Sequence, residues 1–204
     1  RINRICNEIK DVLGIETLTK MDNFLYCISK GYIGDKEEII EIETTEIKEI
    51  EEEHFDKNDK HLEMMYYIVK IGILKGHNVW VAINDRNKVY NNEKLSEICL
   101  SEIPNFTQPQ TIAQAKYIDV IWFLKNTANP VRFFEIEKST TIYSGLLRFN
   151  DVKIDFPISK ATIVIPEDRK NLFEKQINRR TFTLSELSDV CDHITFEGLK
   201  RWYE

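Results

Sequence analysis

Nothing in these 204 residues approaches the roughly 20 consecutive apolar positions of a membrane-crossing helix, and no basic stretch followed by an apolar run opens the chain. The pattern predicts a cytoplasmic protein with no membrane partner. Only four cysteines occur, Cys6, Cys27, Cys99 and Cys191, far apart and without CxxC spacing or a local histidine partner. Reduced, mostly buried thiols are expected, and no zinc site. The four histidines, His54, His61, His77 and His193, share no HxxxH or HxH spacing and add little. "YSGLL" lacks the GxSxG of a serine hydrolase, and no GxxxxGK[ST] or GxGxxG is present. With no nucleotide site of its own, the chain is compatible with a separate motor subunit or domain. It opens on Arg1 rather than methionine, as one domain of a larger polypeptide would.

What is present is acid, unevenly spread. The net charge is −6. Residues 1–60 hold 9 Lys/Arg against 16 Asp/Glu, whereas residues 61–204 hold 19 against 18. Within the first third, 35–59 carries 12 acids and 3 lysines and reads as a solvated helix, hairpin or connector. A segment that mimics nucleic-acid charge, in an autoinhibitory or partner-binding role, is the sharper alternative. The remainder is near neutral, so the overall sign does not exclude a polyanionic partner. With 42% hydrophobic and 11% aromatic residues, the chain can bury one substantial core.

Periodicity divides the chain into a helical and acidic segment (1–60), a core (61–180) and a C-terminal extension packed on the core (181–204). Ile2, Ile5, Ile9 and Leu13 hold helical spacing, and a second helix through "LTKMDNFLYCISKGY" closes at Gly31. In "HLEMMYYIVKIGILKG", Leu62, Met65, Val69 and Ile73 predict a helix stopped by Gly76. "HNVWVAIN" is a strand, and the turn chemistry of "NDRN" predicts a reversal before "KVY". A short helix near 92–100 and a Pro-marked loop, "SEIPNFTQPQ", lead to strands over 117–125 and 131–137, joined by "NTANP" at hairpin length. An amphipathic helix near 140–151, the strand "ATIVI" and a Pro-started helix follow. Helix, strand, strand, strand, helix, strand, helix predicts an α/β fold with a central sheet flanked by helices. Trp80, Trp122, Phe133 and Phe134 lie in strands and read as core rather than base-stacking platforms.

The sharpest feature is "FEIEK" at 134–138, where a strand that needs burial carries two carboxylates. Side chains alternate along a strand, so Glu135 and Glu137 share a face with Cα atoms about 7 Å apart. Asp119 lies near the start of the preceding strand. A hairpin, with strands roughly 4.8 Å apart, brings it opposite the end of its partner. Three acids so close repel one another, and Mg²⁺, which takes oxygen ligands and keeps waters, resolves the repulsion. Such a site suits phosphodiester hydrolysis. Lys138 faces away unless a bulge brings it round. Either Glu137 or Lys138 could then support the attacking water.

"IDVIW" followed 16 residues later by "FEIEK" resembles the PD-(D/E)xK nucleases, the restriction-endonuclease-like superfamily. The resemblance covers about 61–180. It implies a restriction-endonuclease-like central mixed sheet with an N-terminal helical and acidic appendage, and a Mg²⁺-dependent DNA endonuclease of type II-like restriction or defence. In that family an acid on one strand and an acid-x-lysine pair on the next bind the ion. Here Glu137 stands at the lysine position, and the sequence is most similar to the type II variant with glutamate there. Asp119, Glu135 and Glu137 would hold metal, and Lys138 would be an electrostatic helper. Members often use an acid from the first core helix, for which Glu63 is the candidate by position. A surface acid complementing the helix dipole is its plainer role.

A DNA partner requires cations along its phosphates. Arg169, Lys170, Lys175, Arg179 and Arg180 gather in and after the last core helix, and Arg148 lies on the helix behind the motif. Ser139, Thr140, Thr141 and Ser144 could donate to phosphate, although Ser139 or Thr140 is also a natural helix N-cap. Two-strand cleavage favours a homodimer, and further domains or subunits are compatible. The rival is a catalytically silent DNA-binding or subunit-interaction module of the same fold. A glycosidase fits poorly, since its two carboxylates must flank a sugar from opposite sides.

Overall fold

The computed structural model describes residues 60–137 and 142–204. The helices and acidic segment expected within 1–59 lie outside these residues, as do Lys138, Ser139, Thr140 and Thr141.

Helix α1 occupies 60–74. It ends where Gly76 takes φ +80 and the amides of Gly76 and His77 close on the carbonyls of Ile73 and Gly72. Strand β1 (Asn78–Val81) follows. β2 (Val89–Tyr90) and β3 (Glu93–Lys94) then form a separate two-stranded ribbon turned by Asn91 and Asn92, both at positive φ. The reversal predicted at "KVY" therefore leads into this ribbon rather than back onto the main sheet. Two short helices, α2 (Leu95–Ile98) and α3 (Pro109–Ala115), complete the insertion. The second begins at the end of the expected Pro-marked loop, with proline at its first turn.

β4 (Val120–Phe123) and β5 (Pro130–Ile136) make the predicted hairpin. α4 (Ile142–Asp155) crosses to β6 (Ala161–Ile165). A 3₁₀ turn (Glu167–Arg169), α5 (Lys170–Ile177), α6 (Arg180–Leu184) and a second 3₁₀ turn (Leu187–Asp189) lead to β7 (Cys191–Thr195) and α7 (Phe196–Tyr203). The sheet order is β1-β4-β5-β6-β7. Its first three strands are antiparallel neighbours and its last three parallel ones. The chain thus has the expected α/β architecture, a restriction-endonuclease-like mixed sheet flanked by helices. Residues 181–204 do more than pack on it, because they supply an edge strand and a helix.

Period-two alternation sorts the sheet onto two cores. Trp80, Ile121, Phe123, Phe133 and Ile163 meet Ile142, Leu146 and Phe149 of α4 together with α5. On the other face Val79, Val81, Trp122, Phe134 and Val164 meet Met65, Ile68 and Val69 of α1 and Leu199 of α7. Both faces are covered, which is why β4 and β6 are buried at every position. Trp80, Trp122, Phe133 and Phe134 are all core. Two free cysteines, Cys99 and Cys191, fall within the described residues, half-buried and buried respectively.

Met65 and Val69 of the expected α1 face are buried, but the face turns away from Ile73, which is 39% exposed, towards Met64, Ile68 and Ile71. Gly72 accounts for the difference. A Cβ there would lie 2.5 Å from the indole nitrogen of Trp122, whose N–H donates to the Ile68 carbonyl at 3.2 Å. The helix is therefore drawn onto the sheet along its glycine side. Gly72→Ala is expected to destabilise the fold by about 1–3 kcal/mol through overpacking, read as a lowered midpoint in urea unfolding.

Candidate acid site at the end of the sheet

The registers Val120↔Phe134 and Ile121↔Phe133, extended by one, set Asp119 directly opposite Glu135. Glu135 shares the α4 face with Phe133, and Glu137, two residues on, continues it just past the strand, where its amide still donates to the Val164 carbonyl at 2.9 Å. The three acids thus meet at one end of the sheet, and all are buried: Asp119 and Glu137 are 7% exposed, Glu135 0%.

Each is held differently. Asp119 Oδ2 accepts from the Ile136 amide at 2.7 Å and lies 3.3 Å from His61 Nε2. Its side chain terminates the β4-β5 ladder and tethers the start of α1. Both oxygens of Glu135 accept from Arg148, from Nε at 2.7 Å and Nη2 at 2.6 Å. This is a two-pronged guanidinium pair. Glu137 Oε1 accepts from the Ser144 hydroxyl and the Gly145 amide, both at 2.8 Å, with Arg148 Nη2 at 3.8 Å. The Gly145 amide lies in the first turn of α4, so Glu137 sits at the N-terminal end of that helix, where its charge is favourable. Helix α4 sits tight on the acids because residue 145 is glycine. A Cβ there would lie 2.9 Å from Glu137 Oε1 and 3.1 Å from Glu135 Cβ.

The electrostatics follow from this crowding. Burial, then the charge of Asp119, push the Glu135 carboxyl well above the ordinary glutamate range, with Arg148 pulling against them. Burial likewise raises Glu137, opposed by Ser144 and Arg148. The bond to Glu135 holds the Arg148 guanidinium still more firmly protonated than usual. Oxygen donors of this kind suit Mg²⁺. In the present arrangement, however, no three His, Cys, Asp or Glu side chains among the described residues are set to hold a metal ion. Asp119 Oδ1 and Glu137 Oε2 are without hydrogen-bond partners among the described residues, but Glu135 is fully taken by the guanidinium.

The other expected positions scatter. Glu63 accepts from Tyr67 at 2.9 Å and pairs with Lys60 at 3.3 Å and Lys200 at 3.2 Å. Burial works to raise its pKa, yet these three donors bring it below the usual value. The contribution of α1 to the acids is His61, which spacing alone did not single out. Arg148, expected on phosphate, is bound to Glu135. Arg169, paired with Asp168 at 3.3 Å, and exposed Lys170 leave the sheet just beyond β6, at the acid end. Lys175, Arg179 and Arg180 are exposed farther along, with Arg179 lying over the Tyr143 ring at 4.7 Å. Lys138, Ser139 and Thr140 fall outside the described residues.

The family of the Type II restriction enzyme NmeDI C-terminal domain matches residues 41–204. The chain belongs to that family. As a member, it is 29% identical over 130 residues to the Type II restriction enzyme NmeDI of Neisseria meningitidis serogroup C, a match over 59% of this chain and 37% of that protein. The chain therefore spans little more than a third of the curated relative's length. No solved structure matches it. Among the described residues no helix is long and apolar enough to cross a membrane.

A raised pKa in the fold means that Glu135 stabilises the fold while protonated. That contribution is present below the ordinary glutamate range and is lost as pH rises through the folded value. Replacing it by glutamine keeps the size, gives up one of the two bonds from Arg148 at a cost that does not vary with pH, and removes the titration. Between about pH 5 and about pH 8, the stability of Glu135→Gln is therefore expected to rise relative to the parent in urea unfolding. A constant difference would contradict the assignment.

Proposed function

We propose that the chain is the nuclease domain of a restriction system, with a PD-(D/E)xK-like core that uses Asp119, Glu135 and Glu137 to hydrolyse DNA phosphodiesters with Mg²⁺. The observation that carries the proposal is the meeting of Asp119 with Glu135 across the β4-β5 register, with Glu137 on the same face. The family's type II restriction enzyme supports DNA as the polymer. When bound, Mg²⁺ would polarise a phosphate oxygen and lower the pKa of a water. The residues do the positioning. The Ile136 amide fixes Asp119 so that Oδ1 remains available, and the Ser144–Gly145 cap fixes Glu137 so that Oε2 does. The N-terminal turn of α4 presents amides beside the acids, where an anionic phosphate is favoured. Arg169 and Lys170, following Glu167 and Asp168, are the proposed contacts to the DNA backbone, and Lys138 is the proposed electrostatic helper on the β5-α4 connection. His61, rather than Glu63, completes the site from α1. A two-fold homodimer would serve cleavage of both strands.

A silent DNA-binding or subunit-interaction module of the same fold is favoured by one observation, the complete engagement of Glu135 by Arg148. Plasmid cleavage with Mg²⁺ or Mn²⁺ separates the two. Cleavage that falls more than about 100-fold in both Asp119→Ala and Glu135→Ala is expected of the nuclease. Tight plasmid binding without cleavage in either ion would establish the silent module instead.

A further inference from the structure

Arg148 touches two of the three acids. Its guanidinium bonds both oxygens of Glu135 and lies 3.8 Å from Glu137 Oε1, the place that a cation shared by the two would take. The remaining groups on the acids are the neutral donors Ser144, Gly145 and Ile136 N, and the imidazole of His61. Arg148 is thus the one permanently charged cation on the acids among the described residues. The Glu135 side chain is 0% exposed, whereas the Arg148 side chain is 39% exposed, so the guanidinium approaches Glu135 from the solvent side. Burial makes an unpaired, ionised Glu135 costly, so ionised Glu135 gives up the guanidinium when another cation replaces it or when a strong anion draws it away.

We infer that Arg148 is an internal lock on the acid site, released by a nucleic-acid phosphate, so that DNA and divalent-ion binding are coupled through this one side chain. The inference rests on the proposed metal site. Arginine suits both partners, since its planar fork fits carboxylate and phosphate alike. With the guanidinium on Glu135, the acids make no three-ligand set. With it on a phosphate at the rim, Glu135 is free to act as a ligand. Coupling of this kind is reciprocal, so the ion must also tighten DNA binding.

The test is Mn²⁺ affinity, by titration calorimetry and electron paramagnetic resonance, for the parent chain and for Arg148→Lys and Arg148→Met, each with and without a short duplex carrying non-hydrolysable phosphorothioate linkages. Arg148→Lys keeps the charge and loses the fork, so a gain there reports the two-pronged bond itself. It also decides the matter if Arg148→Met does not fold. Without DNA, the parent is expected to bind Mn²⁺ weakly and Arg148→Lys about tenfold more tightly. The duplex should strengthen Mn²⁺ binding to the parent by about as much, and to the variants far less. Equal or weaker Mn²⁺ binding by Arg148→Lys without DNA overturns the lock while leaving the metal site standing. No Mn²⁺ binding by any form, with or without duplex, overturns the metal site and the lock together.

Discussion

Placing three carboxylates at the end of a sheet covered on both faces is unfavourable unless their charge is met within the fold, and the Glu135–Arg148 pair is how this chain meets it. Removing one partner of a fully buried pair costs about 3–5 kcal/mol, and the 39% exposure of Arg148 puts this one toward or below the lower figure. The pair depends in turn on the close seat of α4. Gly145 allows that helix to lie against Glu135 and Glu137, and Arg148, one turn farther along, then reaches the carboxylate with both prongs.

Glu137 gains a second explanation from the same geometry. At residue 137 a carboxylate satisfies the Gly145 amide and the Ser144 hydroxyl and sits at the positive end of a 14-residue helix. A lysine could do neither. With glutamate at residue 137, the positive charge on the acids comes from the helix, where Arg148 supplies it. His61 links the acids to α1 on the opposite face of the sheet, so both helical layers reach the cluster, α1 at Asp119 and α4 at Glu135 and Glu137.

Much of this was legible in the sequence. Alternation in "VRFFEIE" puts Glu135 on the α4 face, and hairpin length between two apolar runs brings Asp119 to it, because strand geometry is fixed to within a residue. "ATIVI" is observed over the predicted residues, since a short β-branched run between turn signals has few other folds. What failed depended on contacts distant in sequence. The rotation of α1 is set by Gly72 against Trp122, fifty residues away, and periodicity alone favoured Ile73. The pairing of "CDHIT" with β6 was hidden because its middle residues are polar and it lies at a sheet edge. His61 and Glu63 lie within one helical turn, and only the direction of α1 selects which of them meets Asp119. Arg148 could be placed behind the motif but not on Glu135, because the burial that demands a counter-charge is a property of the folded sheet.

The most direct measurement is an anomalous difference map from crystals grown with saturating Mn²⁺ and duplex DNA. The account predicts a peak among Asp119, Glu135 and Glu137, with the Arg148 guanidinium withdrawn from Glu135 and resting on a phosphate. No peak at the acids, with Arg148 still two-pronged on Glu135 beside bound DNA, would contradict it.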